Sequence, residues 1–195
     1  VDFLEANEDF SICFHNVEVL ENGSLTNYCT NIEKNTTYSF VDLAKNNLIA
    51  TLSAVYRNTN SKLPIWFSEM PIGDYPFHLL HAKNGKIYCF AENMGVYRKG
   101  VGVWSSKSSI DIANKTLQTI EMILQFIPME LESQIEMMQQ YLGLQKTITK
   151  LKFPNIPLQK PKIQQNKYPF SLQNRIINFF KRYTQNQIDK VNDKE

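Results

Sequence analysis

Cysteine is scarce, and its spacing is wrong for a framework. The 195 residues hold three, Cys13, Cys29 and Cys89, with no CxxC pair. An odd number at irregular intervals argues against a disulfide scaffold or a cysteine zinc site, and for a reducing, cytoplasmic setting. The Asn-X-Ser/Thr triplets at Asn22, Asn35 and Asn114 then carry no meaning beyond chance. Long hydrophobic runs are also missing. No apolar stretch reaches the roughly 18 residues that a membrane span needs, and no signal peptide is visible. The first residue is Val1 rather than Met, as in a chain that lacks an amino-terminal piece. GxxxxGK[ST], GxGxxG, HExxH and GxSxG are all absent, so the common NTPase, dinucleotide, zincin and hydrolase readings lose support.

What is present describes a packed domain with a tail. At 43% hydrophobic and 21% charged, with 12 Phe and 9 Tyr, the chain has material for a sizeable core. The net charge of +2 hides an asymmetry. Residues 1–143 carry 10 Lys and Arg against 16 Asp and Glu, hence −6; residues 144–195 carry 11 against 3, hence +8. An acidic body thus bears a basic tail, which is either a solvated appendage or a docking segment.

The first half reads as strands. Residues 10–20 (FSICFHNVEVL) are rich in β-formers, and Asn22-Gly23 is a hairpin signal before LTNYCTNI. LIATLSAVY (48–56) and LPIWF (63–67) read as further strands. KNG at 83–85 makes a tight turn into KIYCF. The second half changes period. Ile110, Ala113, Leu117, Ile120, Leu124 and Ile127 define an amphipathic helix that Ser108 caps; Pro128 either closes it or opens the next helix at its first turn. Residues 129–142 continue as a second helix, with Leu131, Ile135, Met138 and Leu142 on its inner face and Gly143 as C-cap. Four prolines mark residues 151–169 as a linker, and 170–195 form a basic amphipathic helix or tail. Strands first and helices last give an α+β domain over residues 1–150.

The stretch YPFHLLHAKNGKIYCF (75–90) gathers the candidate chemistry: His78, His81, Asn84 and Cys89. Two histidines three apart in an extended segment point to opposite faces, so a metal site is not expected. Cys89 has two readings. As a nucleophile it would emerge just after a tight turn, its thiolate favoured by Lys83, Lys86 and protonated His78 or His81. Asn84, His81 or a backbone N–H would then stabilise a tetrahedral intermediate. As a core thiol it would be a small buried hydrophobe, the ordinary fate of a free cysteine.

The order of features is similar to that of the ubiquitin-conjugating-enzyme family. It runs from LIATLSAVY through Leu63-Pro64, Ile65-Trp66-Phe67, Tyr75-Pro76, His78 and Asn84-Gly85 to Ile87 and Cys89. Trp104 and amphipathic helices follow. The resemblance covers roughly residues 45–142. It is nearest to prokaryotic members found in anti-phage defence operons such as CBASS. The chain departs from the pattern by an extra Tyr88, and it lacks a His-Pro-Asn triplet; His81 falls near the place of its Asn. The resemblance implies an antiparallel sheet of about four strands followed by packed helices. It also implies a thioester on Cys89, and cargo handed to an amine or another nucleophile. An activating-enzyme-like partner would supply that cargo, a ubiquitin-like protein or the C-terminus of a cyclic-nucleotide synthase. The ATP chemistry would belong to that partner, so the resemblance implies no cofactor here. The basic tail would dock the partner or begin a fused activating domain. A non-catalytic adaptor of the same fold is the alternative, and a nucleic-acid role for the tail has no motif to support it.

Overall fold

The two longest strands, β1 (Phe10–Glu21) and β5 (Lys86–Arg98), lie side by side and run in parallel. The structure, a computed structural model, describes residues 1–27, 32–59, 62–102, 104–152 and 154. Around this pair are α1 (Asp2–Ala6), β2 (Ser24–Asn27), β3 (Thr36–Tyr38), α2 (Phe40–Lys45), β4 (Val55–Tyr56) and α3 (Asp74–Ala82). The helices α4 (Ser109–Phe126) and α5 (Leu131–Lys152) come last. The sheet order is β2-β1-β5-β3, and β4 pairs with the start of β1. Every pair except β1–β5 is antiparallel. The class is α+β, but the sheet is mixed, which corrects the expected all-antiparallel arrangement. A parallel pair needs a long crossover, and residues 22–85 provide it.

Strand alternation sorts the side chains of β5. Ile87 and Cys89 are fully buried on the face that meets Leu43, Leu79, Ile120, Ile123 and Met137. Tyr88 and Phe90 point the other way. There they meet Phe3 of α1, whose ring stacks on Tyr88 at 4.2 Å and meets Phe90 edge-on at 5.4 Å. A five-residue helix therefore covers the outer face, an element that the sequence did not announce. Arg57 ties it down by donating to the carbonyls of Leu4, Asn7 and Phe10. On the inner face, the Tyr75 hydroxyl donates to Leu43 O at 2.9 Å and accepts from Gln140 Nε2 at 2.9 Å, joining α2, α3 and α5.

The β1–β5 ladder is interrupted where the register shifts around Asn16. Such a bulge leaves backbone groups unpaired, and the Asn16 amide satisfies them. Its Nδ2 donates to Ile32 O and Ala91 O, both at 2.7 Å, and its Oδ1 accepts from Ile32 N at 2.9 Å. The hairpin turn at Asn22 and Gly23 has φ of 51° and 79°, as the Asn-Gly pair requires.

Several expectations are corrected. Residues 48–56 are mostly not strand: Ser53 folds back on Ala50 O through both its amide and its hydroxyl, forming a 3-10 turn at Thr51–Ser53. The LPIWF segment is a 3-10 turn over Ile65–Glu69, with Pro64 leading in. Residues 74–82, read as extended, are helical. Pro76 lies in the first turn, where its missing N–H costs nothing, so it permits the helix. Helix α5 runs through Gly143 to Lys152 and buries Ser133, Met137, Met138 and Ile148, leaving Leu131 and Leu142 exposed. Ser108 does cap α4, accepting from Asp111 N. Apart from 151, 152 and 154, the expected linker and basic helix lie outside the described residues, as does Cys29.

Gly85 shows why the turn before β5 needs glycine. A Cβ there would lie 2.8 Å from Asp9 O and 2.9 Å from Ser11 N, both backbone atoms at the start of β1. Gly85→Ala is expected to cost about 2 kcal/mol through this overpacking. Urea denaturation checks it, and an unchanged midpoint would show that the strands part without cost.

Candidate functional site

The four candidate residues come from one helix, one turn and one strand. His78 and His81 are on α3, Asn84 is in the turn after it, and Cys89 is the fourth residue of β5. A helix puts positions three apart on one face, so both histidines meet the same ring, that of Tyr56. The Tyr56 hydroxyl and His78 Nδ1 are 2.7 Å apart, and the Tyr56 and His81 rings are 4.9 Å apart. His81 also packs on Phe77 at 4.5 Å.

His78 is completely buried. Burial pushes its pKa down to about 4; His81 adds to the effect, while Asp74 and the Ile49 backbone oppose it. Nε2 is buried and has no partner that meets hydrogen-bond geometry. Asp74 is itself engaged, accepting from the Thr51 hydroxyl at 2.6 Å and from Tyr75 N at 2.7 Å. His81 is also pushed down by burial, and its Nδ1 is buried without a partner. Neither ring is a cation at neutral pH.

Cys89 lies apart from this group. Its strand has β1 on one side and β3 on the other, with Phe14 and Thr36 as its register partners. Its relative exposure is 0%, and its thiol donates only to Phe90 O at 3.5 Å. Burial pushes the thiol pKa up to about 11. Of the two readings of Cys89, this is the position of a core thiol: the turn ends three residues too early to lift the sulfur out, and alternation then turns it inward. The proposed cation helpers are elsewhere. Lys86 pairs with Asp9 at 2.9 Å, and Lys83 lines a separate cleft. Asn84 donates to Leu80 O at 3.3 Å as a helix-end contact. Cys13 is a second buried thiol, also pushed up by burial.

Two cavities flank α3. The first, of about 510 Å³, has Tyr56, Arg57, Lys62, Phe77, His81 and Lys83 among its walls. The second, of about 650 Å³, is lined by Asn47, Asp74, Tyr97, Trp104 and Gln140 among others. Trp104 thus faces a cavity shared with Tyr97 of β5. Among the described residues no group of three or more His, Cys, Asp or Glu could hold a metal ion, and no helix is long and apolar enough to cross a membrane. Compared with family models, curated proteins and solved structures, the chain matches none.

His78 makes stability depend on pH. Above about 6.5 the ring is neutral in both states and imposes no penalty. As pH falls below that value the unfolded ring takes up a proton that the folded one refuses until about 4. Stability should therefore fall by about 1.4 kcal/mol per pH unit, to a total of about 3 kcal/mol. Urea titrations between pH 7 and 4 measure the slope, which His78→Gln should reduce. An unchanged slope in that variant would remove His78 as its source.

Proposed function

We propose that this domain is a non-catalytic protein-interaction module. The carrying observation is the position of Cys89, sealed in the core with its thiol pushed up to about 11. A thioester carrier needs a sulfur that meets solvent and ionises near neutral pH, because attack and release both proceed through the thiolate. Cys89 supplies neither, which weighs against the transferase reading and its cargo and activating partner. His78 and His81 work instead as helix-face packing around Tyr56. A second support is the surface. Large apolar side chains are exposed at Leu52, Val55, Leu63 and Ile65, with Ile65 at 93%. Burying such residues against another protein is favourable. The basic segment from residue 144 onward adds a charge that suits an acidic partner.

Thiol chemistry tests this reading. The native chain is treated with N-ethylmaleimide, with and without urea, and each cysteine is followed by mass spectrometry. Cys89 should stay unmodified in native buffer and react fully once unfolded. Native labelling at the rate of a free thiol would overturn the proposal and restore the nucleophile. Cys89→Ala should cost roughly 1–2 kcal/mol in stability, as expected for emptying a filled core site.

A further inference from the structure

The cavity lined by residues of β4 and α3, and by residues 57–59 and 62–64, has a lopsided charge. Among its described lining residues three are basic, Arg57, Lys62 and Lys83, and none is Asp or Glu. The body around it is acidic overall, so the patch runs against its background. Lys62 and Lys83 are exposed, and neither meets a carboxylate among the described residues. The half-buried Arg57 hydrogen-bonds only to carbonyl oxygens, which orient the guanidinium and leave its charge uncompensated. The same lining also holds apolar and aromatic residues: Tyr56, Leu63, Phe77 and Leu80. His81 lines the cavity as well, and its buried Nδ1 has no hydrogen-bond partner. A volume of about 510 Å³ is within the range of small-ligand sites.

We propose that this cavity binds a small organic anion, with a phosphate or carboxylate group between Lys62 and Lys83 and an aromatic or aliphatic body against Phe77 and Tyr56. The anion meets charge that the fold leaves unneutralised, and the body covers apolar wall. This site is separate from Cys89 and does not depend on how the thiol behaves.

Phenyl phosphate is a suitable probe, with phenol and inorganic phosphate as its two halves. Each is titrated into the full isotope-labelled chain while backbone amides are followed by NMR. Phenyl phosphate should give saturable shifts at Phe77, His81, Lys83 and Asn84, with affinity at least tenfold above either half. Both lysines are exposed, so Lys62→Glu with Lys83→Glu should keep the fold and weaken binding by more than about tenfold. Inorganic phosphate binding as tightly would remove the apolar half of the proposal. Shifts that do not saturate, that persist in the double variant, or that lie only in residues 153–195 would overturn it.

Discussion

The parallel contact between β1 and β5 is the constraint on which the rest depends. It makes β5 an inner strand, with β1 on one side and β3 on the other at Ile87–Cys89. An inner strand has both edges paired, and its side chains alternate between the two faces of the sheet. Ile87 and Cys89 commit to the face under α3 and the carboxy-terminal helices; Tyr88 and Phe90 commit to the face under α1. The burial of the thiol follows from that parity. A one-residue slip would exchange the two sets, bringing Tyr88 into the core and the sulfur beneath Phe3.

Polar groups hold this arrangement at few points. Asn16 closes the gap left by the bulge, and Tyr75 with Gln140 joins three helices. His78 sits in the same layer as a neutral ring bonded to Tyr56. Its low pKa results from desolvation, which by itself is a structural effect; perturbed titration becomes a mark of chemistry only beside a reactive group and an open cleft. The thiol is not among the described residues that line the cleft.

The elements whose periodicity was unbroken were legible in the sequence. The α+β class, β1, the Asn22-Gly23 hairpin, the entry of β5 and the cap of α4 all follow from local pattern. Segments of mixed signal were not. LIATLSAVY has the composition of a strand, yet Ser53 bends it by bonding to Ala50 O. DYPFHLLHA, expected as extended, is helical, since proline in a first turn leaves the helix intact. An extended segment would set the two histidines on opposite faces, whereas the helix brings both to Tyr56. Gly143 had the look of a helix end but lies exposed in mid-helix, where nothing requires the chain to stop. The Cys89 environment was the largest gap. Sequence alone shows a thiol after a turn; which face it takes depends on pairing partners more than 50 residues away, in β1 and β3.

The Arg57 clasp on the amino-terminal helix has a consequence for acid conditions. Its three acceptors are peptide carbonyls, which do not titrate, and the guanidinium stays charged throughout. Acid that neutralises Asp9 and Asp42 removes the Lys86 ion pair and half of the α2 capping box, yet leaves this grip untouched. Loss of structure on acidification should therefore begin in the layer around His78, with Phe3 still seated on the far side of the sheet.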